Sequence, residues 1–572
     1  MQLKTTLRPD LLTVSFIQGI ALLSLHLAVT NEVWPDNNPP WLILLYTIAI
    51  GTPLLLLLSL DQRSQKKTFI GVGAFTTLIT PLAYYTGVQA MPVQIINDGT
   101  LYFSYVATMT IAGFLFLIYL QQYISHAIKS FNQFSYEKLF LYSWRNFLTL
   151  GLAGLFTLVF WGILMLWAGL FKVIKIDFFA DLFTEEWFFY PVLSVAFGFA
   201  ITVLRNQTKV IDVIKNIQQA LMKYLLLVLI LVVIIFLIAL PFTGLQALWD
   251  TRSGSTIILW LQALVLFFVN AVYRDETNER PYNNNIHRFV YIGLALLPIY
   301  SIISLYGLTL RIDQYGWSIS RGIGIIIWAI FTSFSLGYTG AIMAKRDHWT
   351  DALSWINTRM GVAVLLIMLA LNSPILDLRK ISVSSQLSLI ENGKMSYDEL
   401  DIRYFRNQLA APGYEALEQL KVQLKDSHPD FGKKLGDPNP QLYTGSILQN
   451  ADEFINSLQI LPKGQTLPEE FQTVLVEYYT QKLVLHDSEK YLIAIDLDSD
   501  EILEYILLHL ADKRAYGNLF YYFEGEWQIN RTIRPDLDLD EESIAALRRG
   551  EFEITTPRWN NLKLGNSVIN IN

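Results

Sequence analysis

The stretch with the clearest coordination chemistry is Asp496-Leu497-Asp498-Ser499-Asp500-Glu501-Ile502-Leu503-Glu504. Its acidic side chains at relative positions 1, 3, 5 and 9 sit between two apolar runs. Calcium takes about six to eight hard oxygen ligands. Asp496, Asp498, Asp500 and Glu504 could supply carboxylates, and Ile502 a carbonyl. Glu501 stands where calcium loops place a glycine for the turn, and Leu507 lacks the bidentate carboxylate that closes an EF-hand. The other reading is a strand edge with its aspartates outward and Ile495 and Leu497 inward. A second acidic series, Asp536, Asp538 and Asp540, runs into Glu541-Glu542-Ser543 and reads as the acidic N-terminus of a helix.

A second concentration of polar chemistry is Tyr306-Gly-Leu-Thr-Leu-Arg311-Ile-Asp313-Gln-Tyr315-Gly-Trp317-Ser-Ile-Ser-Arg321-Gly322, between two apolar runs. Arg311, Asp313, Tyr315 and Arg321 could dock the C-terminal domain or contact an anionic lipid head group. The plainer reading is a capped turn with an Arg–Asp pair at the interface, which exposed would contribute about 0–1 kcal/mol. No phosphate-binding glycine loop, G-x-S-x-G elbow or H-E-x-x-H helix is present. The seven histidines are scattered, and no catalytic residues are assigned. The expectation is a protein that is not an enzyme.

The elements that must hold these groups follow from composition. Of 572 residues, 52% are hydrophobic, more than a soluble domain usually carries. Residues 1–372 hold 23 Lys and Arg against 18 Asp and Glu; residues 373–572 hold 20 against 32. The acidic tail argues against nucleic acid as a partner. With no cysteine, disulfides and thiolate metal sites are excluded, and a domain outside the cytoplasm must rest on its own core.

About eleven apolar runs are long enough to cross the hydrocarbon layer as helices. They lie near 11–29, 40–60, 69–88, 101–120, 147–171, 188–204, 222–242, 255–273, 289–310, 322–343 and 359–372. They are continuous rather than alternating, which favours helices over a barrel. Loop charge sets the orientation. One set of connections and their edges carries 18 basic residues, from Lys4 to Arg359; the alternate set carries five, Lys172, Lys175, Arg252, Arg311 and Arg321. The N-terminus is therefore expected in the cytoplasm, the first span uncleaved, and the tail across the membrane.

Trp34, Trp41, Trp144, Trp187, Trp249, Trp317, Trp349 and Trp355 fall near predicted helix ends, as in an aromatic belt. Residues 206–221 and 344–357 look amphipathic and either lie on anionic lipid or pack on neighbouring helices. No acidic or basic residue falls at mid-membrane depth, which disfavours proton-coupled transport. Gln18, Gln262 and Asn270 are explained by helix–helix hydrogen bonds, and Pro53 and Pro81 by kinks or packing points.

In the tail, helices are expected at 382–392, 397–410, 414–425 and 468–481, with Gly393 as a C-cap and an irregular connection over 426–467. Strands are expected at Tyr491–Ile495, Ile502–Leu508, Leu519–Phe523, Trp527–Ile533 and near 551–556, with a hairpin at Glu524-Gly525-Glu526 and a helix at 541–549. The chain thus reads as an α-helical polytopic membrane bundle followed by a soluble α+β C-terminal domain. The domains are 1–372, a mainly helical 373–488, and a small α+β 489–572 with antiparallel strands.

Two phrases, the 306–322 stretch and Asn372-Ser-Pro374 followed by the helix bearing Ser384, Gln386, Leu387 and then Gly393, resemble the bacterial integral-membrane family called domain of unknown function 4153. Matching positions include Tyr306, Leu310, Arg311, Tyr315, Gly316 and Arg321. The resemblance implies a many-helix bundle in a bacterial inner membrane and a periplasmic tail; it implies no activity and no functional residues. The expected role is a non-enzymatic envelope protein presenting a periplasmic interaction or sensing domain, its partners the bilayer and a periplasmic protein or lipid. The alternative is a transporter or lipid-handling protein.

Overall fold

The computed structural model describes residues 9–424, apart from 62–63, 94–98, 127, 206–207, 246–253 and 274–280. Beyond them it describes 455, 458–462, 465, 467–468, 470–475, 489–497, 502–511, 514–523, 526–533, 539–551, 562–564 and 567–569. The chain divides into two compact units, Met1–Leu435 and Gly436–Asn572.

The first unit is helical: α1 (Pro9–Thr30), α2 (Pro39–Ser59), α3 (Gln65–Gln89), α4 (Gly99–His126), α5 (Tyr136–Val173), the short α6 (Phe178–Thr184) and α7 (Glu186–Arg205). Then come α8 (Thr208–Thr243), α9 (Gly254–Val272), α10 (Asn284–Ala295), α11 (Leu297–Tyr315), α12 (Ile319–Lys345) and α13 (Leu353–Ala370). Ten helical stretches are long and apolar enough to cross a bilayer. The last of them, Ile319–Ala370, is α12 and α13 joined at the 3-10 turn Arg346–Ala352 and packed on each other. Counted separately, these two helices bring the helical runs into one-to-one match with the apolar runs of the sequence. Pro53 and Pro81 sit inside continuous helices.

The outer surface of this unit fits lipid. On α5, Leu155, Leu158, Leu166 and Leu170 are each more than half exposed. In water such a face would be costly; in hydrocarbon it is the matching surface. Between helices, where lipid gives no hydrophobic drive, small residues allow close approach. A Cβ on Gly19 of α1 would lie 2.6 Å from Pro191 Cα of α7, and one on Gly198 would overlap Ser15. One core cluster unites α1–α5, α7 and the end of α13; a second unites α8–α12, the start of α5 and the start of α13. Gln262 donates to the Leu297 carbonyl at 3.0 Å and to Ser301 Oγ at 2.9 Å, so α9 is hydrogen-bonded to α11.

Of the two amphipathic segments, 344–357 takes one of its two readings. Trp349 is fully buried, packed against Tyr273, His287 and Tyr338. The 344–357 segment therefore packs on its neighbours through Trp349, where the chain reverses, while its other ring, Trp355, stays 60% exposed. Of 206–221, residues 206–207 and most side chains to 216 lie outside the described set, while Ile217 and Leu221 are exposed. Trp249 also lies outside it.

The first unit continues past the last span. After Ala370 come α14 (Leu378–Glu391), α15 (Ile402–Gln408) and α16 (Ala410–Gln423), which share a small core around Phe405, Leu409 and Leu417. The hydropathy boundary at 372 marks the end of the spans; the compact unit runs on to Leu435. Gly393 has φ +67°, the left-handed value of a helix end. The expected helix 397–410 is instead a 3-10 turn at Tyr397–Glu399 and the shorter α15, since Asp401 caps a new start by accepting from Tyr404 N.

The second unit holds a five-stranded sheet in the order β1 (Gln459–Leu461), β2 (Glu489–Ile495), β3 (Glu504–Ala511), β4 (Arg514–Phe523), β5 (Glu526–Ile533). β1 pairs parallel with β2; the other pairs are antiparallel. β1 falls within the stretch expected to be irregular: three residues before a proline give no alternation to read. One face of the sheet packs Leu492, Tyr505, Leu507 and Phe520 against Phe471 and Leu475 of the helical stretch 470–475. The other packs Tyr491 and Leu510 against α17 (Glu541–Arg549). Burial on both faces explains why β2 and β3 are apolar without alternation. Asp540 caps α17 by accepting from Ser543 N. A two-stranded hairpin, β6 (Leu562–Leu564) with β7 (Ser567–Ile569), follows; the strand expected near 551–556 lies mostly outside the described residues.

Candidate functional site

The turn between α11 and α12 leaves the last carbonyls of α11 without intrahelical partners. Side chains complete them. Arg321 Nη1 donates to the Gly316 carbonyl at 2.7 Å and to that of Tyr315 at 3.2 Å, with its guanidinium 5.4 Å from the Tyr315 ring centre. Gln386 of α14 donates to the carbonyls of Tyr315 (2.9 Å) and Trp317 (3.2 Å). Ser382 donates to the Trp317 carbonyl at 3.0 Å, while Ser385 accepts from Trp317 N at 2.9 Å. Tyr404 of α15 accepts from Ile319 N at 2.9 Å. Gly316, with φ +70°, turns the chain beneath Ser385, Gln386 and Leu389.

A second fastening lies on α3. Asp377 caps α14 by accepting from the backbone of Arg379 and Lys380, and its other oxygen accepts from Tyr85 Oη at 2.7 Å and Gln89 Nε2 at 3.4 Å. Asn372 donates to Thr108 Oγ1 of α4 at 2.7 Å. Burial pulls the Arg379 guanidinium below its ordinary pKa, opposed by the neighbouring Asp377. The three helices after the spans thus form a collar held to α3, α4 and the α11–α12 turn.

Of the four residues singled out in this region, Tyr315 and Arg321 enter the clamp. Asp313 is largely exposed and lies 3.9 Å from Lys394, not in a pair with Arg311. The expected Arg–Asp pair is not what holds this turn: Arg311 lies two residues from Asp313 on the helix and faces another direction, and Arg321 turns to the Tyr315 and Gly316 carbonyls. Arg311 is half-buried at the same helix end.

In the acidic run, Asp498 and Asp500 lie outside the described residues. Asp496 follows β2, and Glu504 opens β3 opposite Ile495. The Glu504 carboxylate is buried and accepts from Leu497 N at 2.6 Å, linking the end of β2 to the start of β3. Leu497 is 42% exposed rather than inward, because the ladder ends at Ile495. Among the described residues no three His, Asp or Glu side chains converge as a metal site.

The helix–helix hydrogen bonding expected of Asn270 is present, and two further groupings, at His287 and on α5, were passed over in the sequence. Asn270 Oδ1 accepts from Tyr136 (3.1 Å), Tyr338 (3.0 Å) and Asn357 (2.5 Å), joining α5, α9, α12 and α13. His287 is fully buried between Tyr273 Oη and the Asp347 carbonyl, each 3.2 Å away. On α5, Tyr142, Arg145, Asn146 and Thr149 line one cavity. Their spacing of i, i+3, i+4, i+7 is a helix face, a signal that was available in the sequence.

A family model described as Domain of unknown function (DUF4153) matches residues 17–420. No curated protein and no solved structure matches the chain. The family match covers the bundle and nearly all of the collar, well over half of the sequence, and the chain belongs to that family.

Proposed function

We propose that this family member is a non-catalytic protein of a bacterial inner membrane that presents its C-terminal α+β unit outside the cytoplasm for interaction or sensing. The observation that carries this reading is the collar. A passive tether needs no specific contacts, yet the segment after the last span is fixed through Asp377, Ser382, Ser385, Gln386 and Tyr404. The contrast of 18 basic residues on one set of connections against five on the other supports a cytoplasmic N-terminus. Polar groups deep in the spans bond to one another, as Gln262 and Ser301 do, which supports a structural bundle over an ion-coupled carrier.

Complementation tests the reading. In cells lacking the protein, the full chain should restore growth under envelope stress and a chain ending at residue 435 should not. Full restoration by the shortened chain would overturn it.

A further inference from the structure

The cavity on α5 lies at the end of the bundle away from the collar. It is lined by the C-terminal ends of α2, α4 and α7 and the second turn of α5 onward, and its volume is about 230 Å³. Gly87, near the collar end of α3, packs on Pro40 at the start of α2, whereas the cavity meets α2 at Leu58 and Ser59. That is roughly 28 Å along the helix at about 1.5 Å per residue. It is also the end bearing the basic connections.

Its lining is rich in donors. Arg205 donates to the Leu57 carbonyl and, at 3.0 Å, to the Leu60 carbonyl, both at the C-terminus of α2. Arg145 donates to the Arg205 carbonyl. These bonds fix both guanidinium groups and occupy the nearby carbonyl acceptors. Gln121 and Asn146 bond reciprocally at 3.0 and 2.8 Å, leaving the second amide hydrogen of Asn146. Thr149 is 1% exposed and its hydroxyl has no partner among the described residues, although it lines the cavity. An unbonded hydroxyl at that depth is costly unless something occupies the space beside it. Asp61 is the acidic member and is itself exposed. Two fixed guanidinium groups, hydroxyls and an amide hydrogen converging at a helix-bundle end suit a tetrahedral oxyanion.

We propose that this cavity binds a phosphate group, carried either by an anionic lipid at the membrane surface or by a free phosphate species. Arg145 supplies the charge-assisted bonds, Thr149 and Asn146 the neutral ones, and Arg205 the second positive charge.

The test uses the full chain in nanodiscs and two probes, phosphatidylglycerol in a phosphatidylcholine background and inorganic phosphate. The expected result is saturable binding of at least one probe, weakened about tenfold or more by Arg145→Gln. Phosphatidylglycerol retention alone identifies a lipid source; thermal protection by phosphate alone identifies a soluble one. Thr149→Leu fills the space while leaving both arginines, and should abolish binding in a variant of wild-type stability. Failure of both probes to bind saturably, or unchanged binding by folded Thr149→Leu, would overturn the proposal.

Discussion

Tyr85 donates a 2.7 Å hydrogen bond to the carboxylate of Asp377, 292 residues later in the chain. One aspartate therefore does two things: it caps the first collar helix and ties it to α3. If the collar left the bundle, the cap would go with it, but Tyr85 Oη and Gln89 Nε2 of α3 would lose their shared acceptor.

Tyr85→Phe should cost about 1 kcal/mol, and Asp377→Ala about 2–3 kcal/mol, because the second also removes the helix cap. Thermal unfolding in detergent, run as a double-mutant cycle, should show coupling between the two. Additive losses would mean that the bond contributes nothing.

Gly316→Ala should destabilise the turn by about 1–3 kcal/mol. Its φ of +70° is unfavourable for alanine, and the added Cβ would approach Leu389, Gln386 and Ser385 at 2.9–3.0 Å. Gln386→Ala should act on the same contacts without the backbone strain. Hydrogen exchange over Leu378–Glu391 should rise in both variants.

Asn270→Ala should lower stability by about 2 kcal/mol or more, since three buried side chains lose a shared acceptor. Tyr338→Phe alone should cost less, because it removes one donor, which Asn270 shares with Asn357 Oδ1, and leaves the Tyr136 and Asn357 bonds to Asn270 in place. Equal losses would contradict a hub at Asn270.

His509 lies on β3 opposite Lys490, and burial first, then the lysine charge, lowers its pKa to about 4. The folded imidazole resists a proton that the unfolded chain accepts near the ordinary value of about 6.5. The associated stability is present above that value and is lost as pH falls from about 6.5 toward 4, up to about 3 kcal/mol. Histidine-selective NMR of the full chain, assigned by His509→Gln, should find a resonance titrating near 4. Lys490→Gln should move it upward.

The bundle was legible because each span is a continuous apolar run, and the strands from Tyr491 to Ile533 because β-rich runs alternate with turn residues. Gly393 announced its helix end for the same local reason. What stayed hidden depends on distance or direction. Nothing near Asp377 points to Tyr85. Trp349 looks like an interfacial ring until the turn at Arg346 folds it inward. Asp313 looks paired with a neighbouring arginine until the helix turns them apart, and β1 is too short to carry a pattern. The α5 face of Tyr142, Arg145, Asn146 and Thr149 was readable but lies where an apolar run begins and its polarity is diluted.

The most direct measurement uses the absence of cysteine from the chain. Single cysteines at Lys66, at the cavity end of α3, and at Glu391, on the collar, are each the sole thiol and occupy exposed positions. In right-side-out membrane vesicles, an impermeant maleimide should label Glu391→Cys directly and Lys66→Cys only after the vesicles are opened. Labelling of both positions, or of Lys66→Cys alone, in sealed vesicles would contradict the account.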